Sequence, residues 1–386
     1  MEEVDSLRIK QIPHDVMIDI LKNLPGKSLL RFKCVSKTWY NLVNSSNFTD
    51  IHYNHDCLSN DFVLLKRYIG NDEIDAESNY YKGHNILSCH SIDESFKSRA
   101  PNVTYFDNYI GVSIAGPCNG IVCIGSYRTI FLYNPTLREF WELPPSQYSS
   151  TRQDLNHTMQ IVAGIGFDPK TNDYKVIRIF NFDEYPLIKD VSTIEIYNLS
   201  TNSWREIDEV PSMIHPSRCF KVLFNGVFHL CGTMASPMVE NWIVSFNFST
   251  ELFQNIPYPD GLVDMQGKNL VILNECLALI CYPTMYFWFD EQMPQMVDIW
   301  VMKEYGVKES WTKEFTIGPI FIQTPLSIWK NETEMLIESK NGELVSCNLL
   351  SQEIKNLDIS GDAETLEVVV CKESLISIKK EREEWL

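Results

Sequence analysis

The spacing of apolar residues changes once along the chain, close to residue 55. Before that point apolar residues recur every three or four positions, which is typical of helices. From Asp15 to Leu24 they cover more than one stripe of a helix and leave only Asp19, Lys22 and Asn23 for water. After residue 55, strand-like runs of four to eight residues alternate with Asn-Gly, Gly-Pro and Asp-Pro turn signals. The pattern predicts a mainly β protein with a small α module at its N-terminus.

Three short helices are predicted in the α module. Pro13 suits the first turn of a helix, and the Pro-Gly pair at Pro25 ends that helix. A second helix is predicted from Ser28 to Cys34, and Ser36 is a good N-cap for a third. About forty residues cannot bury this much apolar surface among themselves. The surplus must pack on the rest of the chain or bind a separate protein, and spacing alone does not decide between the two.

A short sequence motif, here called the cassette, repeats through the β region. Each copy is predicted to form an apolar strand, a polar turn and a second strand that begins with an aromatic residue. The copies begin at Leu132, Ile196, Phe246, Val301 and Cys347. Between the copies, further strands that complement those of the cassette are predicted, beginning at Asn119, Asn225 and Glu275. Repeats of this kind predict a kelch-like β-propeller over residues 56–386, with room for six to eight blades. A pair of β-sandwiches is the structural alternative.

Charge is unevenly distributed along the 386 residues. The chain carries 33 Lys and Arg against 51 Asp and Glu, a net charge of −18. The segment from Arg8 to Ser45 has seven basic and two acidic residues, so the rest carries 23 net negative charges. This balance argues against nucleic acid as a partner and favours a basic protein, although acidity is also common in soluble proteins. Opposite signs in two parts of one chain suggest two different partners.

The sequence offers no catalytic or metal-binding constellation. It has no GxSxG, HExxH or Walker motif, no CxxC pair and no His spacing typical of metal ligands, so we expect a non-catalytic protein without metal or cofactor. Gly164 and Gly166 are interpreted as sites of close approach between strands. No signal peptide or membrane helix is predicted, which indicates a cytosolic chain without a membrane partner.

The N-terminal segment closely resembles the F-box motif of plants. The likeness runs from Leu7 to His52 and includes Leu24-Pro-Gly-Lys-Ser-Leu-Leu-Arg-Phe32 and Cys34-Val-Ser-Lys-Thr-Trp39. It implies a three-helix F-box at residues 7–52 that docks the Skp adaptor of an SCF (Skp–cullin–F-box) ubiquitin ligase. The resemblance assigns ten docking residues: Ile12, Pro13, Ile20, Leu21, Leu24, Pro25, Leu29, Leu30, Val35 and Trp39. Gly26 departs from the family, which often has Val there, and is expected to remove a contact.

The β region resembles the plant F-box-associated domain, through Gly116-Pro-Cys-Asn-Gly-Ile-Val-Cys123, Asn134-Pro-Thr-Leu-Arg138 and the run from Gly164 to Val176. Within that family it looks most like the S-locus F-box proteins of nightshades. This implies a substrate receptor, in the cytoplasm of the pollen tube or in the nucleus, that directs ubiquitination and proteasomal degradation of non-self S-RNases in self-incompatibility. Those ribonucleases are basic as a family. The alternatives are an F-box receptor for another regulatory protein and an enzyme on a propeller scaffold.

Target contacts are expected on loops at one face of the propeller. The first candidate is the acidic loop Asn71–Glu77, although each candidate loop could simply be solvated. The predicted target-binding residues are Asp72, Glu73, Asp75, Glu77, Asp183, Glu184, Asp290 and Glu291.

Overall fold

The computed structural model describes most of the chain. The described residues are 12–55, 61–74, 81–93, 95–99, 102–103, 112–126, 129–146, 159–182, 191–207, 221–231, 242–262, 266–283 and 294–379. Side chains at 71–74, 81–82, 159–161, 181–182, 191–192 and 266 are not part of the description. Residues 12–55 form a helical module, and the remainder is almost entirely β.

The helical module contains four helices rather than the three predicted. They are α1 (His14–Leu21), α2 (Gly26–Phe32), α3 (Lys37–Val43) and α4 (Ser46–Asn54). Ser36 caps α3 as predicted, because its Oγ accepts a hydrogen bond from the Trp39 amide at 3.3 Å. Ser45 caps α4 in the same way. The sequence analysis missed α4 because its residues are polar on average, and burial of Phe48 and His52 stabilises it.

The helix boundaries also differ from the predicted ones. α1 ends at Leu21 instead of Leu24, and α2 begins at Gly26 instead of Ser28. Pro13 and Pro25 are N-cap residues, with extended ψ values of 143° and 144°, and not residues of a first turn. Since a residue before proline avoids the helical region, Leu24 cannot continue α1.

Twenty-three strands lie within the described residues. They are β1 (Asp61–Ile74), β2 (Tyr81–Ser91), β3 (Ser113–Cys118), β4 (Ile121–Gly125), β5 (Ile130–Asn134), β6 (Glu139–Glu142), β7 (Met159–Asp168), β8 (Asp173–Phe182), β9 (Val191–Asn198), β10 (Ser203–Ile207), β11 (Lys221–Phe224), β12 (Val227–Cys231), β13 (Trp242–Asn247), β14 (Leu252–Pro257), β15 (Gln266–Leu273), β16 (Cys276–Pro283), β17 (Gln295–Met302), β18 (Trp311–Ile320), β19 (Thr324–Trp329), β20 (Glu334–Glu338), β21 (Glu343–Asn348), β22 (Ile354–Ser360) and β23 (Glu367–Lys372).

These strands form six antiparallel sheets, each a blade of a propeller. Blades 1 to 5 are the consecutive groups β3–β6, β7–β10, β11–β14, β15–β18 and β19–β22, and blade 6 has the order β2-β1-β23. The innermost strand of each blade contacts the innermost strand of the next, in the order β23, β3, β7, β11, β15, β19 and back to β23. The ring therefore has six blades, at the lower end of the predicted range, and the β-sandwich alternative is contradicted.

Blade 6 joins the two ends of the β region. β1 pairs with β23 so that Phe62 lies opposite Cys371 and Lys66 lies opposite Glu367. Lys66 Nζ also lies 3.3 Å from a carboxylate oxygen of Glu367. Because β23 is the innermost strand of this blade, the last strand of the chain closes the ring.

The predicted hairpin cassette is confirmed as the outer two strands of blades 1 to 5. In three copies an Asn side chain at the end of the third strand accepts hydrogen bonds from the amides two and three residues later: Asn134, Asn247 and Asn348. Four residues after each Asn, the backbone has positive φ, at 55°, 57° and 58°. An Asx turn and a left-handed residue reverse the chain without further partners, which explains why the cassette repeats.

The aromatic residue of the cassette links neighbouring blades. Trp204 Nε1 donates to the Pro144 carbonyl of blade 1 at 2.7 Å, and Trp311 Nε1 donates to the Pro257 carbonyl of blade 3 at 3.0 Å. A β-carbon at Gly164 would collide with the Phe228 ring, and one at Gly166 with the Phe248 ring. These glycines therefore permit close approach as predicted, although the approaching groups are rings of blade 3.

A buried ion cluster connects blades 2 and 3. Lys175 Nζ lies 2.9 Å from Asp168, 2.8 Å from Glu251 and 2.9 Å from the Phe248 carbonyl oxygen. Burial lowers the pKa of Lys175 and raises that of Asp168, but the hydrogen bonds outweigh burial. The net result is a raised pKa for Lys175 and a lowered pKa for Asp168, so both groups are charged and hold the two blades together.

Candidate adaptor-docking surface and helix–propeller junction

Large apolar side chains are unusually exposed on the helical module. Val16 and Ile20 are exposed by 46 and 53% and lie four residues apart, which places them on one face of α1, and Ile12, just before the N-cap Pro13, is exposed by 58%. Val35 and Tyr40 are exposed by 67 and 54%. The described residues contain thirteen such side chains, and five of them lie between residues 12 and 40. An exposed apolar concentration of this kind marks a protein-binding surface.

The ten predicted docking residues fall into three groups. Five are exposed: Ile12, Pro13, Ile20, Pro25 and Val35. Three are half-buried: Leu24, Leu30 and Trp39. Leu21 and Leu29 are 1 and 0% exposed and pack with Phe48, so they support the docking surface from below instead of forming it.

Sequence reasoning left two exposed residues out of the docking set. Val16 and Tyr40 were recognised as apolar positions of helices, but the family resemblance did not assign them to docking. The interval of four residues between Val16 and Ile20 was the available signal for Val16, since residues at this interval share a helix face. Packing against the propeller determines which apolar face of the helical module is buried and which stays exposed, and the sequence of the module alone does not distinguish them.

The helical module packs against the propeller through an apolar cluster. Leu375, which follows β23, joins Leu21, Leu29 and Phe48 in one core, and Leu137 of the β5–β6 turn packs against it. Further along, Ile378 enters the core between blades 1 and 2. The chain after β23 thus contacts both parts, and the junction resembles a protein interior.

Glu373 is the polar centre of this junction. Its side chain is buried, and one carboxylate oxygen accepts a hydrogen bond from the Gly26 amide at 2.6 Å. The other oxygen lies 2.7 Å from Arg99 Nη2. One carboxylate therefore joins the start of α2 to a basic residue of blade 6, and charged hydrogen bonds of this kind are the stronger ones.

Further polar contacts hold the chain that follows β23. Asn134 Nδ2 donates to the carbonyl oxygens of Ser374 and Ile376 at 3.0 and 2.8 Å. The Ser374 amide donates to Thr136 Oγ1 at 3.1 Å. His52 Nε2 lies 3.0 Å from the Leu24 carbonyl oxygen, and burial lowers the pKa of His52, which favours its neutral form. The helical module is therefore held rigidly on blades 1 and 6.

The structure describes little of the segments that hold the predicted target-binding residues. Asp72 and Glu73 lie in β1, so part of the predicted loop is strand, and their side chains are outside the description. Asp75, Glu77, Asp183, Glu184, Asp290 and Glu291 lie outside the described residues. The strand pairs that flank them, β1–β2, β8–β9 and β16–β17, are the second and third strands of their blades. The helices contact the opposite blade ends, at Thr136 and Glu373.

The described part of the chain contains no group of three or more side chains that could hold a metal ion. Burial raises the pKa of Cys123 and Cys281 to about 12 and that of Cys231 to about 11, which keeps these thiols protonated and poorly nucleophilic. Among the described helices, none has the length and apolar character to cross a membrane.

Comparison with known proteins gives two family matches. An F-box domain matches residues 9–51, and an F-box-associated β-propeller domain matches residues 74–380. F-box protein CPR1 of Arabidopsis thaliana is 28% identical, over 97% of this chain and 92% of that protein. Two more Arabidopsis thaliana proteins are each 26% identical over 87% of this chain: an F-box protein, of which 82% is covered, and an F-box/kelch-repeat protein, of which 88% is covered.

Proposed function

The chain belongs to the family that joins an F-box domain to an F-box-associated β-propeller, and from this we propose that it is the substrate-recognition subunit of an SCF ubiquitin ligase. An F-box implies a Skp adaptor and a cullin as partners. F-box proteins generally act as non-catalytic receptors, and the ligase chemistry resides on other subunits. The role of this chain is to hold a target at a fixed position relative to the adaptor.

The observation that carries this proposal is the division of the helical module into two surfaces. Its inner residues, including Leu21 and Leu29, are buried against the propeller, while Ile12, Val16 and Ile20 remain exposed. If the apolar surplus served only to attach the helices to the propeller, this second surface would also be covered. We infer that it docks the adaptor, with Val35 and Tyr40 at its edge.

We further propose that the target is a basic protein, held at the propeller face opposite the helices. The 23 net negative charges outside Arg8–Ser45 favour a basic partner through electrostatic attraction. The likeness to S-locus F-box proteins described above suggests an S-RNase, recognised in the pollen-tube cytoplasm and directed to the proteasome. The eight acidic residues named from the sequence are the proposed contacts.

A second candidate target is a regulatory protein unrelated to self-incompatibility. The observation in its favour is that the relatives at 26 to 28% identity are F-box proteins of Arabidopsis thaliana, one of them an F-box/kelch-repeat protein.

Co-purification from pollen extract tests both the receptor role and the proposed S-RNase target. The tagged wild-type chain should retain Skp, cullin and a basic ribonuclease. An Ile20→Asp/Val35→Asp variant should lose Skp and cullin but keep the ribonuclease, because the target binds the propeller. Capture of Skp and cullin without a ribonuclease would support the second candidate, and capture of neither by the wild type would refute the receptor role.

A further inference from the structure

A cavity of about 660 Å³ lies at the junction between α2 and the propeller. Lys27 and Arg31 line it from α2, Arg99 from the chain between β2 and β3, and Arg138 from the β5–β6 turn. The lining therefore combines basic residues from the helical module and from the propeller. A pocket of this volume is large enough for a small-molecule ligand.

The charge of this cavity is opposite to that of the chain. Four cations and one carboxylate, that of Glu373, are found among its described lining residues, a net charge of +3 against −18 for the whole chain. Both oxygens of Glu373 are already engaged, one with the Gly26 amide and one with Arg99. Within the described residues, Lys27, Arg31 and Arg138 form no ion pair with any carboxylate.

The walls of the cavity strengthen the effect of these charges. Pro25, Leu30, Pro135 and Leu137 supply apolar surface beside the cations, and low-dielectric walls focus the electrostatic field on the opening. Arg99 is fixed in place: its Nη1 donates to the Asp61 carbonyl oxygen at 3.1 Å, and its guanidinium carbon lies 5.4 Å from the centre of the Phe62 ring. At least one cation is therefore already oriented before any ligand binds.

We propose that this cavity binds a small multivalent anion of the phosphate class, one per chain, which bridges α2 and the propeller. Arginine guanidinium groups match phosphate oxygens in pairs of hydrogen bonds, and several unpaired cations around one opening favour several negative charges on one ligand. Because the binding requires neither adaptor nor target, this inference is independent of the proposed ligase role. Such a ligand would also fix the angle between the adaptor surface and the target face.

Isothermal titration of the full chain with inorganic tripolyphosphate tests the proposal. The wild type should bind one tripolyphosphate, and orthophosphate should bind more weakly because it carries fewer charges. An Arg31→Gln/Arg138→Gln variant should bind at least a hundredfold more weakly, at about tenfold for each lost charged contact. The control Lys37→Gln/Lys170→Gln removes two exposed cations outside the cavity and should leave affinity within about twofold, since screened distant charges contribute little.

Both pairs of substitutions lie at exposed positions, so their unfolding midpoints without anion should equal that of the wild type. The proposal is overturned if the wild type does not bind tripolyphosphate, or if control and cavity variants lose affinity equally. An acidic protein segment as the true occupant would appear as a third result: no tripolyphosphate binding to the wild type, with weaker Skp binding by the cavity variant. That result would also overturn the phosphate proposal while leaving the receptor role intact.

Discussion

A β-carbon placed on Gly26 would lie 2.7 Å from Thr136 Cγ2 and 3.2 Å from a carboxylate oxygen of Glu373. From the sequence, this glycine was expected only to remove an adaptor contact. The structure assigns it a different role, because Gly26 is buried and faces the propeller. A larger residue would push α2 away from blade 1 and lengthen the hydrogen bond between its amide and Glu373.

We therefore predict that Gly26→Ala lowers the free energy of unfolding by about 1–3 kcal/mol, because overpacking forces its neighbours to move. Thr136→Ser removes the colliding methyl group and keeps the oxygen that accepts from the Ser374 amide. The double variant should recover at least part of the loss, in a double-mutant cycle measured by urea unfolding. Strictly additive effects of the two substitutions would show that the two side chains do not collide.

His229 gives a second prediction at the residue scale. It is completely buried in β12, its Nε2 lies 2.7 Å from the Tyr305 hydroxyl, and burial lowers its pKa from 6.5 to about 4. Between those values the unfolded chain takes up a proton that the folded protein does not. The stabilising contribution is therefore complete above pH 6.5 and declines as the pH falls towards 4.

His229→Phe should accordingly reduce the loss of unfolding free energy between pH 7 and pH 4.5 by about 2 kcal/mol. Chemical denaturation at a series of pH values measures this change. His84→Gln, at an exposed position of β2, serves as the control for the loss of a histidine as such. An identical profile for His229→Phe would mean that this histidine does not titrate differently in the folded and unfolded states.

The roles of individual residues were the hardest feature to predict from the sequence. Apolar periodicity identified the residues of α1, but it could not separate exposed Ile20 from buried Leu21, because the propeller determines which face is covered. The burial of charged residues such as Lys175 and Arg178 was equally hard to predict from the sequence, since a charged residue in a strand is normally expected to face solvent. The partners that neutralise them are Asp168 and Glu251 for Lys175 and Glu195 for Arg178, and these meet the cations only when the strands pair and the blades pack.

At the scale of elements, the turns of the cassette and the contacts between blades explain the repeat. The hairpins were predictable because each Asx turn and its left-handed residue are local in sequence. α4 was missed for the opposite reason, because its stability depends on packing of Phe48 within the helical module and against Leu375. Contacts between blades likewise appear only when the ring is assembled.

The ion cluster between blades 2 and 3 yields a prediction at this scale. Lys175→Met should lower the free energy of unfolding by about 3–5 kcal/mol, because it leaves buried Asp168 without its cation. Arg205→Met removes the other cation of Glu251, but the Arg205 side chain is 47% exposed and the expected loss is below about 1 kcal/mol. Urea unfolding measures the free energy of unfolding of both variants. Equal losses of that free energy would show that burial of an ion pair does not determine how much it stabilises the fold.

At the scale of the whole molecule, the six-bladed ring separates the two surfaces proposed for adaptor and target. Sequence repeats indicated a propeller but left the number of blades between six and eight, because blade 6 combines strands from both ends of the region and carries no copy of the cassette. The helical module lies at the blade ends that hold Thr136 and Glu373, and the described strands next to the segments proposed for target binding end on the opposite side. In the proposed arrangement, adaptor and target therefore bind on opposite sides of the ring.

The affinity of the purified chain for a Skp adaptor tests this account most directly. Ile20→Asp/Val35→Asp places two charges in the exposed apolar surface, whereas Leu350→Asp makes the same kind of change at an 81% exposed residue of the propeller. We predict that the first variant loses at least a hundredfold in affinity, since charges placed in an apolar interface are strongly unfavourable. Leu350→Asp should bind as the wild type does. Equal affinity of all three proteins, or no adaptor binding by the wild type, would contradict the account.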